Sequence, residues 1–229
     1  MKSTPPIKTS LIKPALLRMG AMLAAITAAI FLPAGTFKFW QAWVYLSVLL
    51  IPLILSTLYL LRHSPDLIER RMHYQEQENE QKRFVRFSGL LLITALMLPG
   101  FDQRFNWSAP PLWLILTADG ILLLSHVIFF MVFRENRYAS RVVEVDEKQT
   151  VVSSGPYAIV RHPMYVGSLL MYIFSPLALG SYWAMIPAAF LIPLLMSRII
   201  NEEEVLIKDL PGYAEYRQKV RYRLLPGVW

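Results

Sequence analysis

Long apolar stretches separated by polar segments are the main pattern of this chain. A helix needs about 20 predominantly apolar residues to cross a hydrocarbon core of roughly 30 Å. Gly180 and Ser181 interrupt the last and longest stretch, so we predict a tight helical hairpin there. The chain is therefore predicted to be an all-α integral membrane protein with five or six transmembrane helices, in a single membrane domain over residues 1–229. The apolar stretches cover residues 16–34, 40–61, 87–101, 112–133 and 165–197.

The polar segments predict cytoplasmic amphipathic helices. One or two are expected within residues 62–86, and a short basic helix with an aromatic end is expected within residues 213–229, against the membrane. Pro211-Gly212 should end the helix that precedes this tail. Arg18 interrupts the first apolar stretch, so we expect an uncleaved anchor rather than a cleaved signal peptide.

The positive charges predict the orientation of the spans. If the N-terminus is cytoplasmic, only Lys38 and Arg104 of the 23 Lys and Arg residues lie outside. We therefore expect a protein of the bacterial inner membrane whose N-terminus and long polar segments are cytoplasmic. The net charge of +7 then follows from topology and from contact with membrane lipids. We expect no nucleic-acid partner, since no recognition module accompanies this charge.

The composition excludes several kinds of functional site. The chain has no cysteine, which excludes disulfides, thiol nucleophiles and thiolate metal ligands. His63 and His73 are ten residues apart, a spacing that does not suit metal ligation, so we predict no metal site. Asp119 and His126 share one face of the fourth span, where ionisable groups are either functional or mutually satisfied. The sequence does not decide between these two roles.

The segment "RHPMY" at residues 161–165 is the first candidate site. Pro163 suits the first turn of a helix, so free backbone N–H groups should lie beside Arg161 and His162 and favour a bound anion. Tyr165 and Tyr157 add aromatic faces and hydroxyls, which suit a flat heterocycle or a sulfonium ion. The alternative is that Arg161 extends to lipid headgroups while Tyr165 belongs to an interfacial aromatic belt.

The segment "SRIINEEEVL" at residues 197–206 is the second candidate. Arg198 and Glu202 are one helical turn apart, so a cation and a carboxylate should project from the same face at the membrane boundary. The cation comes first in the pair, which is the poorer order for helix stability and slightly favours a site role. Glu203 could contact a ligand, although three successive glutamates usually form a solvated face.

Together, "GPYAIVRHPMYVG", "RIINEEEVL" and "GYAEYRQKVRYRLLPGVW" resemble the isoprenylcysteine carboxyl methyltransferase and phospholipid methyltransferase superfamily. The resemblance is close over residues 150–229, with weaker landmarks in "FDQRF" at 101–105 and at Asn136. It implies a membrane enzyme that binds S-adenosylmethionine in a cytoplasmic region formed by residues 150–229. The implied cofactor contacts are Gly155, Pro156, Tyr157, Arg161, His162, Tyr165 and Glu203, while Arg198 and Glu202 match the essential Arg and Glu.

The resemblance leaves the methyl acceptor open. A lipophilic or lipid-attached carboxylate would be positioned by Arg198 and would need no base. An amine headgroup must lose a proton, for which Glu202 is the candidate base. Two other readings remain: an NADPH-dependent enzyme related to sterol reductases, and a non-enzymatic membrane protein, although the latter should carry its polar residues near the bilayer midplane.

Overall fold

The computed structural model describes residues 9–72, 79–139, 145–146 and 149–229, and its regular elements are all helical. Part of the predicted amphipathic segment 62–86 and the position of His73 lie outside the described residues. The helices are α1 (Thr9–Ala34), α2 (Trp40–His63), α3 (Pro65–Met72), α4 (Asn79–Phe105), α5 (Leu112–Glu135), α6 (Pro163–Ala178), α7 (Met185–Asp209) and α8 (Tyr213–Lys219), with a 3₁₀ turn at Gly155–Ala158.

Five of these helices are long and apolar enough to cross a membrane. Many of their large apolar side chains are exposed, as expected where lipid rather than water surrounds the helices. Helix α6 is also apolar but has only 16 residues, so the number of spans is five without it and six with it. The prediction of an all-α integral membrane protein is confirmed. The five spans are Leu16–Ala34, Trp40–His63, Phe84–Phe105, Leu112–Glu135 and Met185–Asp209.

Helix α6 lies at the centre of the bundle. It packs against α2, α4, α5 and α7, and none of its residues is exposed. Two apolar clusters mark the two ends of the bundle. The first joins Phe39 to Ala178, and the second joins Leu61 to Val132 and contacts Met164. We call the end at the second cluster the site end, because it carries the residues described below.

The predicted hairpin is formed by α6 and α7. Gly180 has a φ of +74°, a left-handed conformation that glycine adopts without a steric penalty. The Ser181 hydroxyl donates to Asp102 at 2.5 Å, and it accepts the backbone N–H of Ala184 at 3.2 Å. Asp102 is therefore a buried acceptor that fixes the hairpin turn to the end of α4.

Several helix boundaries differ from the hydropathy prediction. Helices α4 and α7 extend beyond the apolar stretches, because charged residues such as Glu202 and Lys82 are good helix formers that hydropathy alone leaves out. Helix α8 ends earlier than predicted, at Lys219. Beyond it, the backbone carbonyls of Tyr222 and Arg223 accept N–H groups from the segment before α6, which holds the tail in a non-helical conformation.

Helix α3 docks onto the site end through its apolar face. Leu67 and Ile68 are buried in the cluster that contains Val132 and Ala139. On the same helix, Arg70 forms an ion pair with Asp146 at 2.7 Å. The short helix therefore ties the polar segment that follows α5 to the end of α2.

Candidate active site

A cavity of about 380 Å³ lies at the site end, where α5, α6, α7 and α8 meet. This volume lies within the range of about 300–1,000 Å³ that is usual for small-molecule sites. The wall contains side chains of both charges together with several tyrosines. Its polar members include Arg71, Asn136, Tyr138, Gln149, Tyr157, Arg161, His162, Tyr165, Ser168, Arg198, Glu202, Tyr213 and Tyr216.

Glu203 is the centre of a buried ionic cluster behind this wall. Its Oε1 atom accepts Arg161 Nε at 2.6 Å and lies 3.2 Å from His162 Nε2. Its Oε2 atom accepts Arg223 Nε at 2.8 Å. Since one carboxylate faces two guanidinium groups, the cluster carries a net positive charge even when the imidazole is neutral.

The ionic cluster joins the start of α6 to the C-terminal tail. Arg161 also donates Nη1 to the carbonyls of Val220 and Arg221, at 2.8 and 2.7 Å. The backbone N–H groups of Arg161 and His162 donate to Tyr222 and Arg223. These contacts hold "RHPMY" between α7 and the tail, so the position of the first candidate segment depends on the last residues of the chain.

A second polar chain runs through Tyr165. Its hydroxyl donates to Glu202 Oε2 at 2.5 Å and accepts Arg198 Nε at 3.1 Å. The Arg198 guanidinium also lies over the ring of Phe84, 4.8 Å from the centroid, and the residue is buried. The Glu202 side chain is 24% exposed. Helical spacing on α7 thus places a buried cation and an accessible carboxylate on either side of one hydroxyl.

The 3₁₀ turn presents Tyr157 to the cavity. Its hydroxyl accepts Asn136 Nδ2 at 3.0 Å, and its carbonyl accepts the Tyr216 hydroxyl at 2.7 Å. Burial raises the pKa of Tyr157 to about 12, although the Asn136 hydrogen bond opposes this shift. The phenol therefore stays protonated at neutral pH and keeps its proton available for donation.

Gly155 begins this turn with a φ of +56°, and a Cβ atom there would lie 3.2 Å from Glu135 Cδ. Pro156 follows at the start of the turn, where its missing N–H costs nothing. Ser154 donates its hydroxyl to the Glu135 carboxylate. Gly155 and Pro156 thus set the backbone path that brings Tyr157 into the wall.

The structure brings all nine predicted site residues to the site end, in two different roles. Gly155, Pro156 and Glu203 are absent from the described lining of the cavity and support it from behind. The remaining six line the cavity: Tyr157, Arg161, His162, Tyr165, Arg198 and Glu202.

Many lining residues were not among the predicted site residues, and four of them, all cationic or aromatic, are described here. Arg71 of α3 donates Nη1 to the Ala139 carbonyl at 2.9 Å. No sequence signal places this cation beside α5, because its position depends on how α3 docks. Tyr213 and Tyr216 of α8 also line the cavity, and their spacing of one helical turn was the available signal. Tyr138 is the fourth, and it lies two residues after Asn136.

Residues 113–211 match the model of the phospholipid methyltransferase family. Over this segment, the match confirms the resemblance drawn from the sequence. No curated protein matches the chain in sequence.

The segment that matches the phospholipid methyltransferase family runs from α5 to the end of α7 and contains every predicted site residue. This segment is therefore similar to a family of methyltransferases that act on phospholipids. Arg71 and the two tyrosines of α8 lie outside the matched residues, although they line the same cavity. The wall of the cavity is therefore completed by parts of the chain that flank the family segment.

Proposed function

We propose that the protein transfers a methyl group from S-adenosylmethionine to the amine headgroup of a phosphate-containing lipid. The observation that carries this proposal is the arrangement around Tyr165, which holds Arg198 and Glu202 together in the cavity wall. A cation and a carboxylate at this spacing complement a headgroup that combines a phosphate with an ammonium.

The residues of the cavity fit the cofactor. S-adenosylmethionine supplies a methyl group on a sulfonium, together with a carboxylate, an ammonium and an adenine ring. Arg161 and His162, the members of the ionic cluster that line the cavity, favour the carboxylate. The faces of Tyr157 and Tyr165 suit the adenine ring and the sulfonium. These residues would hold the cofactor within the 380 Å³ cavity.

Glu202 favours an amine over a carboxylate as the acceptor. An acceptor carboxylate beside Glu202 would meet a like charge, whereas an ammonium would be attracted. The nitrogen must lose a proton before it can form the new C–N bond as the C–S bond breaks, and Glu202 is placed to accept that proton. Arg198 would meanwhile position the phosphate through a charge-assisted hydrogen bond.

Burial of Tyr165 and Arg198 supports the alignment that such a displacement requires. Both residues are less than 10% exposed. The Tyr165 hydroxyl also fixes the positions of both neighbouring charged groups, so less orientational freedom remains to be lost on binding. Tyr165 is thus proposed to be a positioning residue, while Arg198 and Glu202 would contact the acceptor.

We also propose that the site end faces the cytoplasm. Arg62, Arg70, Arg71 and Arg134 lie at or beside the ends of α2, α3 and α5 that form the site end. Lys38 and Arg104 lie near the opposite ends of the spans. The positive-inside rule then places the cavity on the side where S-adenosylmethionine is made.

The proposal is tested by methyl transfer in lipid nanodiscs. Purified protein receives S-adenosylmethionine with a labelled methyl group, and the discs contain phosphatidylethanolamine, phosphatidylglycerol or an added prenylated cysteine. We expect label only in phosphatidylethanolamine, with a loss of about 100-fold or more for Glu202→Gln and little change for the exposed neighbour Glu204→Gln. Label in the prenylated cysteine alone would overturn the amine proposal. Binding of NADPH in place of S-adenosylmethionine would overturn methyl transfer itself.

A further inference from the structure

The hydroxyl of Tyr213 is a buried polar atom without a hydrogen-bond partner among the described residues. The residue is 4% exposed and lines the cavity. Burying a hydroxyl without a partner costs about 1–3 kcal/mol, so most native structures avoid it. The position of this hydroxyl therefore points to a ligand that supplies the missing partner.

The ring of Tyr213 is held by apolar neighbours. It belongs to a cluster with Leu210 and Tyr216, against which Val151 and Leu206 pack. Gly212, with a φ of +85°, is the residue that precedes α8, and Tyr213 is the first residue of that helix. The aromatic ring thus has a complete structural role, whereas the hydroxyl contributes nothing to that packing.

The hydroxyl lies near the charged end of the cavity. Burial raises the pKa of Tyr213, and the negative charges of Glu203 and Glu202 raise it further, while the Arg161 charge lowers it. The phenol is therefore a neutral donor at physiological pH. Arg161 and His162 line the same cavity and are the groups there that favour an anionic part of a ligand.

We propose that Tyr213 donates a hydrogen bond to the carboxylate of the amino-acid part of the bound cofactor. This inference rests on the proposed function, since it assigns a new contact within the same cavity. Because Tyr213 lies outside the phospholipid methyltransferase segment, α8 would be a part of the cofactor site that the family match does not cover.

Tyr216 supplies a matched control one helical turn away. It is also buried and lines the cavity, and its ring lies 5.7 Å from that of Tyr213. Its hydroxyl, however, donates to the Tyr157 carbonyl at 2.7 Å. The two tyrosines differ in that one hydroxyl is engaged within the protein and the other has no partner among the described residues.

The test compares Tyr213→Phe and Tyr216→Phe in the full-length protein in detergent. Calorimetric titration uses two ligands, S-adenosylhomocysteine and 5′-methylthioadenosine, which lacks the amino-acid part. We expect Tyr213→Phe to weaken binding of S-adenosylhomocysteine about 10-fold or more, because a hydrogen bond to a charged group is lost. Binding of methylthioadenosine should be unchanged.

Thermal unfolding without ligand provides the second readout. Tyr213→Phe should leave the melting temperature unchanged or slightly higher, because no partner is lost. Tyr216→Phe should lower it by about 2–4 °C, since a carbonyl loses its donor.

Equal binding of S-adenosylhomocysteine by wild type and Tyr213→Phe would overturn the inference and leave the proposed function standing. Equal losses for both ligands would place the hydroxyl at the adenosine part and also overturn it. A wild-type protein that binds neither ligand would overturn the proposed function and the inference with it.

Discussion

Replacing Glu203 with alanine should destabilise the protein strongly. The side chains of Glu203 and Arg161 are 3% and 5% exposed, so solvent cannot compensate the arginine when the carboxylate is removed. Breaking a buried pair by removing one partner costs about 3–5 kcal/mol. The Arg223 contact adds less, because that side chain is 29% exposed and remains partly solvated.

Thermal unfolding in detergent measures this effect. One kcal/mol corresponds to about 2–4 °C for a chain of this size, so we expect Glu203→Ala to lower the melting temperature by about 6–20 °C. Glu204→Ala is the matched control, because Glu204 is the exposed neighbour on the same helix. The control should change the free energy of unfolding by no more than about 0.5 kcal/mol.

A double-mutant cycle then separates the pair from general damage to α7. Glu203→Gln and Arg161→Gln, combined, should show a coupling energy of at least about 1 kcal/mol. If the melting temperatures of Glu203→Ala and Glu204→Ala differ by less than about 2 °C, the reasoning about the buried cluster is wrong.

Three further predictions concern other parts of the molecule. Gly100→Ala should destabilise the protein by about 1–3 kcal/mol, because the new Cβ would lie 2.4 Å from the backbone oxygen of Ile30. Gly89 on the same helix has open space around it, so the control Gly89→Ala should be neutral or stabilise the protein by up to about 1 kcal/mol. Asp119→Asn should leave the melting temperature unchanged or higher, since both carboxylate oxygens are buried without a partner among the described residues. The free energy of unfolding should fall between about pH 10 and 12, because the pKa of Tyr157 is raised to about 12 and an unfolded tyrosine ionises near 10. Melting curves recorded across that range should show a smaller loss for Tyr157→Phe.

Each of these has a contradicting result. Equal melting temperatures for the Gly100 and Gly89 variants would show that α1 and α4 are not in close contact. A loss of more than about 1 kcal/mol in Asp119→Asn would reveal a partner for that carboxylate. An alkaline stability loss that Tyr157→Phe leaves unchanged would assign it to other tyrosines.

Hydropathy and helical spacing predicted the main features of the fold. The apolar stretches located the spans, and Gly180 located the hairpin. Pro163 marked the start of α6, and the spacing of Arg198 and Glu202 predicted that both would reach one place. These features depend on local sequence, so they can be read without knowledge of packing.

The environments of three successive glutamates could not be predicted in this way. Glu202 lines the cavity, Glu203 is buried in the ionic cluster and Glu204 is exposed. Successive residues on a helix point about 100° apart, so each faces a different neighbour. Which direction meets the tail or the cavity is decided by the packing of α7 against elements distant in sequence.

The contributions of the C-terminal tail and of α3 to the site could not be predicted from the sequence either. Arg161 donates to carbonyls that are 59 and 60 residues away in the sequence, far beyond the few neighbouring residues that determine local propensity. Arg71 reaches the cavity because Leu67 and Ile68 dock against α5. Neither arrangement leaves a pattern in the sequence, since both are tertiary contacts between separate segments.

The short central helix sets the depth of the cavity relative to the end of α5. Met164, at the start of α6, packs against the apolar cluster that contains Val132, three residues before the end of α5, and this offset corresponds to a recess of about 5 Å at 1.5 Å per residue. That recess is comparable to the headgroup layer of a bilayer, about 5–7 Å on each side. Withdrawing a lipid into water costs about 0.8 kcal/mol for each methylene exposed. For the proposed lipid acceptor, a recess of this depth would let the headgroup reach the cavity while the acyl chains stay in the hydrocarbon.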